Sequence, residues 1–145
     1  MNLSLHGKNI TIIGVYAVND DTLVKDKEKF FEQLSYEISK IGQSREIILT
    51  GDLNSRTGKK LHDKIVGQFG EAILNDNGNR LINICDQNNL RILNDFFQHH
   101  DIHKYTWIQH SRNLKSVINY VIVRQYTALK IQDVRVYRHT TDMWQ

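Results

Sequence analysis

The sequence predicts an α/β domain built on a mixed sheet, and three observations carry that expectation. Residues 9–17 read Asn-Ile-Thr-Ile-Ile-Gly-Val-Tyr-Ala, a β-branched run of the kind that forms a strand. Leu23, Phe30, Leu34, Ile38 and Ile41 then recur at near-helical spacing, with Lys and Glu on the other side. Ile47-Ile48-Leu49 is again short and aliphatic. Strand, helix, strand in this order is the βαβ unit, whose strands run parallel.

The elements follow in order. Asn19-Asp20-Asp21 supplies N-cap candidates and acidic charge at the positive end of the first helix. Gly42 is a natural stop for it. Residues 55–77 form a long polar loop with Gly58, Gly67 and Gly70. Loops of that length in a compact domain are either functional or disordered. Asn77-Gly78 opens a second helix, with Leu81, Ile84, Cys85 and Asn88 on one face. Short strands are expected at residues 91–93 and 105–108. Residues 117–123, Val-Ile-Asn-Tyr-Val-Ile-Val, are apolar on both faces and suit the centre of a sheet. Residues 131–137 alternate as a half-exposed strand does. Strands outnumber helices in the later half, so mixed pairing is expected.

Composition narrows the class. The chain has 145 residues, one ordinary domain. Its formal charge is +3, and residues 101–145 hold seven Lys or Arg against three Asp. That excess suits a polyanionic partner or a solvated basic face. Cys85 is the only cysteine, so no internal disulfide forms and a reducing, intracellular compartment is the simpler reading. No apolar run has the length to span a bilayer. His99, His100 and His103 with Asp101 sit in a polar stretch without a cysteine and read as a solvated loop.

The chemistry concentrates at Gly51-Asp52-Leu53-Asn54. Strands of α/β sheets present functional groups at their carboxyl ends. Asp52 and Asn54 are two apart, so continued strand geometry puts them on one side. An anion next to a group that both donates and accepts suits a hard cation or a phosphate.

Other segments line up with this one. Val15-Tyr16-Ala17-Val18-Asn19 precedes the first helix, and Gly51-Asp52-Leu53-Asn54-Ser55-Arg56-Thr57-Gly58 follows it. Then come Asn77-Gly78-Asn79-Arg80-Leu81, Lys104-Tyr105-Thr106-Trp107 and Ile118-Asn119-Tyr120-Val121-Ile122-Val123. This ordered set resembles the endonuclease/exonuclease/phosphatase superfamily, and within it the endonuclease of non-LTR retrotransposons. The match runs from Ile10 to Tyr137.

The resemblance implies a partial four-layer α/β/β/α sandwich, two packed mixed sheets between outer helices. It implies Mg²⁺- or Mn²⁺-dependent hydrolysis of a nucleic-acid phosphodiester, with DNA as partner and a nuclear location. Asp52 then positions the attacking water and ligates the metal, and Asn54 holds that water or a phosphate oxygen. Tyr16 donates to the phosphate. Asn19 lines the cleft. Read from their own charge, Arg56, Lys59, Lys60 and Lys64 with His62 suit either phosphates beside the cleft or a solvated loop. Thr106 and Trp107 support the site near the substrate.

Two departures qualify this. The family's upstream Asn and metal-binding Glu strands, and its closing Ser-Asp-His element, have no counterpart in residues 1–145. Asn119 stands where the family has an Asp that orients the catalytic His. The chain is therefore expected to be a single incomplete domain over residues 1–145, impaired or inactive alone. The alternative is a non-catalytic remnant that binds nucleic acid or protein. A phosphatase or phospholipase of the same superfamily is a third reading.

Overall fold

The computed structural model describes residues 1–138. Residues 139–145 lie outside the described residues.

The chain opens with a hairpin, β1 (Asn2–Leu5) and β2 (Lys8–Tyr16). Helix α1 (Val24–Ser39) crosses over to β3 (Glu46–Asp52). After a long loop come α2 (Asp76–Gln87), β4 (Leu90–Ile92) and a 3₁₀ turn at Leu93–Phe96. A single-turn α3 (Asp101–Lys104) leads to β5 (Trp107–Gln109), a second 3₁₀ turn, β6 (Leu114–Ser116) and β7 (Asn119–Arg124). Five strands form one mixed sheet in the order β1-β2-β3-β7-β4, and β5 and β6 form a separate antiparallel pair. β2 and β3 are parallel, as the βαβ reading requires, and β7 runs antiparallel between β3 and β4. The apolar run at residues 117–123 is thus the inner strand that its composition predicts. The chain is a mixed α/β fold with two sheets and flanking helices.

One face of the large sheet carries the core. Ile13 and Val15 of β2, Ile47 and Leu49 of β3, Tyr120 and Ile122 of β7, and Leu90 and Ile92 of β4 meet the helices there. Phe31, Leu34 and Ile38 of α1 and Leu81, Ile84 and Cys85 of α2 close over them. Burial of each large aliphatic side chain stabilises the fold by about 1.5–3 kcal/mol before its entropy cost. Ile12, Ile48, Thr50 and Val121 alternate onto the opposite face and are only half-buried.

Local chemistry misled the sequence reading in several places. Asn19, Asp20 and Asp21 do not cap α1; Leu23 takes the N-cap position and no side chain caps it. Leu23 is exposed, and Phe31 occupies the buried stripe instead. The helix ends at Ser39, short of Gly42. Helix α2 starts at Asp76, capped by the Asn75 carboxamide, which accepts from the Gly78 N–H. Residues 131–138 contain no strand despite their alternation. They form a strap instead. Thr127 and the Ala128 N–H bond to Glu46 at the start of β3, while Val136 exchanges hydrogen bonds with His103. Alternation marks two-sided exposure, and a strap lying on a surface shows it without any ladder. Strands β1 and β6 were not anticipated; both are short and polar at their edges.

Candidate phosphoester site

The site is built where β2, β3 and β7 end or begin together. In the sheet register Tyr16 lies beside Asp52, and Asp52 lies beside Asn119. Three residues distant in sequence thus form one row on neighbouring strands about 4.8 Å apart. The row faces away from α1 and α2, because Val15 and Tyr120, its neighbours in sequence, face the core. Tyr16 is 80% exposed, so its hydroxyl is free to meet a ligand. Asp52 and Asn119 are half-buried.

The turn after β3 has strict local requirements. Gly51 has φ +138°, and a Cβ there would lie 2.0 Å from the Val15 carbonyl oxygen, so only glycine brings β2 and β3 this close. The strand does not continue through Asn54, as the spacing argument assumed. Asn54 has φ +42°, and its N–H donates to Asp52 Oδ1 at 2.9 Å. This is an Asx turn, a local bond that Asp favours. The Asn54 Nδ2 donates to the Ala17 carbonyl at 2.8 Å, which ties the Asp52 turn to the end of β2. Its Oδ1 remains available as an acceptor.

Thr106 stands at the other end of the row. Its Oγ1 accepts from the N–H groups of Ile118 and Asn119 at 3.0 and 3.2 Å, fixing where β7 begins. The Asn119 carbonyl is held by Asn94 at 3.1 Å.

The structure brings Tyr16, Asp52, Asn54, Thr106 and Asn119 together and leaves three other candidates outside this constellation. Asn19 is exposed in the turn after β2, where its carbonyl accepts from Thr22. Trp107 starts β5 on the small sheet, paired with Ser116 and 41% exposed. Arg56 is engaged by Glu71, with Nε to Oε1 at 2.5 Å and an NH2 contact at 3.2 Å. Glu71 is buried, and this bond to it raises the Arg56 pKa.

A second set of polar residues supports the turn, and the sequence reading missed its role. Asn77 is fully buried on α2, and its Nδ2 donates to the carbonyls of Val18 and Asn54, each at 3.0 Å. Its N–H donates to Asp20 Oδ1 at 2.8 Å. Lys27 of α1 is buried and donates to the Asp20 carbonyl and to Asp76 Oδ2, both at 2.7 Å. Burial works against the Lys27 charge, but Asp76 and Asp20 outweigh it and raise the pKa. Asp20 is thus a long-range anchor. The Asn-Gly pair at 77–78 was visible in the sequence, but its partners were not.

The long loop is pinned from beneath by further buried polar groups. Asp95, from the 3₁₀ turn after β4, is 2% exposed and accepts from Thr57 Oγ1 at 3.2 Å. Burial pushes its carboxyl up to about 7, and Lys104 offsets only part of this. The hydroxyl of buried Tyr120 lies between the Ser55 and Val117 carbonyl oxygens, at 2.8 and 2.7 Å, and donates its one proton to this pair.

The donors at the row suit a metal only in part. Asp52 offers one carboxylate, and one of its oxygens already accepts from Asn54. Among the described residues no three His, Cys, Asp or Glu side chains gather into a metal cluster. His99 pairs with Asp133 at 2.6 Å, and His103 Nδ1 meets the Val136 carbonyl. Mg²⁺ accepts one or two carboxylates when waters and phosphate oxygens complete its shell. The described residues alone do not complete a divalent-cation site.

The strand ends of this mixed α/β sheet thus present a tyrosine, an aspartate and two carboxamides side by side. The chain is 29% identical over 137 residues to craniofacial development protein 2 of Tragulus javanicus, and 30% identical over 127 residues to craniofacial development protein 2 of Bos taurus. These alignments take 93% and 88% of this chain but only 24% and 22% of the relatives, so the chain spans about a quarter of their length. No family model matches the chain. Among solved structures, the crystal structure of humanized D. rerio TDP2 by 14 mutations aligns with a TM-score of 0.49 and 11% identity. That alignment covers 89% of this chain and 45% of the other. No helix among the described residues is long and apolar enough to cross a membrane.

Proposed function

We propose that this chain carries the water-positioning part of a phosphodiesterase site of the endonuclease/exonuclease/phosphatase class, acting on nucleic acid. The observation that supports the reading is the register row Tyr16–Asp52–Asn119, with Asn54 folded back beside it. Hydrolysis of a phosphodiester needs an oriented water and donors toward the oxygens that gain charge in the transition state. Asp52 orients the water and takes up its proton, Asn54 Oδ1 accepts from it, and the exposed Tyr16 hydroxyl donates to a phosphate oxygen. Asn119 lies in register with Asp52, where a carboxylate would hold an imidazole in place; its carboxamide has no charge to stabilise an imidazolium.

Mg²⁺ or Mn²⁺ belongs to this reading as an expectation and needs carboxylates beyond Asp52. The reading treats residues 1–145 as one part of a domain, of the retrotransposon endonuclease type, that turns over little or nothing by itself. Supercoiled plasmid nicking tests it. The chain alone is expected to give no nicking with Mg²⁺. The same chain joined to the flanking segments of its longer relatives is expected to nick, with Asn119→Asp raising the rate and Asp52→Ala abolishing it. Nicking that survives Asp52→Ala but is lost with EDTA would refute the assignment of the site.

A further inference from the structure

The loop that follows the Asp52 turn has a construction of its own. Its neck is closed by the Thr57–Leu74 bridge and by Arg56 and Asn75, whose backbone and carboxamide exchange bonds at 2.9 and 3.0 Å. Ile65, Val66 and Gly67 are buried beneath it. The Ile65 carbonyl accepts from the Ile92 N–H at 2.9 Å, at the end of β4. Gly67 lies so close to the 3₁₀ turn that a Cβ would meet the Asp95 carbonyl oxygen at 2.0 Å. The Lys60 N–H donates across the loop to the Gly67 carbonyl at 3.1 Å. This is a compact Ω-type loop fixed to the domain at its base.

The tip of that loop is cationic. Lys59, Lys60, Leu61, His62 and Lys64 are exposed, and Leu61 at 70% stands between the lysines. The one carboxylate among them is used internally. Asp63 Oδ1 accepts from the N–H groups of Ile65 and Val66 at 2.8 and 2.9 Å. None of the three lysines is within ion-pair distance of a carboxylate among the described residues. Exposed lysines on a tethered loop concentrate positive charge, and Asp63 meets Lys60 and Lys64 only through its field. Lys59 is five residues past Asn54, and five residues extend at most about 18 Å. One turn of a duplex is about 34 Å long, which exceeds that reach.

We propose that the tip formed by Lys59, Lys60 and Lys64 binds the phosphate backbone of a nucleic-acid duplex held at the Asp52 row. The proposal rests on the nucleic-acid reading above and adds a contact surface to it. Its chemistry is sequence-independent charge neutralisation, in which each lysine that meets a phosphate releases condensed counterions.

Fluorescence anisotropy with a labelled duplex DNA, measured across a salt series, tests it. Each lost phosphate contact flattens the log–log salt slope by about 0.9. Lys59→Ala/Lys60→Ala/Lys64→Ala is therefore expected to flatten it by about 2.7, which shrinks the loss of affinity from about 50 to about 200 mM salt roughly 40-fold. Leu61→Glu, an exposed change that touches no anchor of the loop, is expected to weaken binding in the same salt range. Lys25→Ala/Lys29→Ala/Lys40→Ala, on α1 and at its C-cap, removes the same charge elsewhere and is expected to leave the slope within one contact of the native value. A tip variant that changes the slope by less than about 0.9, or no more than the α1 variant does, overturns the proposal. Absence of any binding by the native chain overturns the nucleic-acid reading itself, and this proposal with it.

Discussion

Asp95 offers a direct measure of how burial sets this fold's stability. Its carboxyl is 2% exposed and pushed from 3.8 up to about 7, chiefly by desolvation. Between those two values the native chain binds more protons at this site than the unfolded chain. Stability therefore falls as pH rises through that window and levels off above it. At about 1.4 kcal/mol per pH unit, the whole window costs the native state about 4 kcal/mol. Asp95→Asn removes the charge and keeps an oxygen to accept from Thr57. The variant is expected to be more stable than the native chain, and its advantage to grow by roughly 3 kcal/mol between about pH 5 and about pH 8. For a chain of this length that is a difference of roughly 8 °C in Tm. Urea unfolding at the two pH values, followed by far-UV circular dichroism, measures it. Asp63 and Asp76 do not confuse the result. Their pKa values are lowered from 3.8, so the stability they contribute is present throughout this range and is lost only in more acid solution. An advantage that is the same at both pH values, or a variant less stable at the higher one, would refute the reasoning.

Two further outcomes follow from the buried polar groups. Arg56→Ala leaves the Glu71 carboxylate buried without its guanidinium and is expected to cost about 3–5 kcal/mol in urea unfolding, with Glu71→Gln in the same chain recovering part of the loss. Asn77→Ala leaves the carbonyls of Val18 and Asn54 without their donor and is expected to cost about 1–3 kcal/mol for each. Hydrogen exchange at the Ala17 and Asn54 amides should quicken in that variant more than exchange in α1.

The elements were legible where one residue's neighbours in sequence decide its place. The β-branched runs of β2 and β3 and the apolar β7 became strands in the expected order, because β-branched and apolar runs favour the pleated conformation locally. Asp52, Asn54, Thr106 and Asn119 were found from short motifs, and the fold brings them together. The row itself was not legible. Register between β2, β3 and β7 depends on pairing across tens of residues, and no local pattern states which residue lies beside Asp52. Asp20 shows a second limit. An Asp before a helix reads as a cap, yet the same side chain serves Lys27 and Asn77 instead. Glu71 and Asp95 show a third. A carboxylate in a loop or a turn gives no local sign of burial, and only the fold reveals that both are enclosed.

Cys85, enclosed between α2 and the sheet, has a practical consequence. Burial pushes its thiol up to about 12, so no reactive thiolate faces solvent in the native state. A thiol reagent reaches it only when α2 lifts away, and the rate of labelling then reports the free energy of that opening. As the only cysteine in the chain, it is a native clock for core exposure that needs no engineered probe.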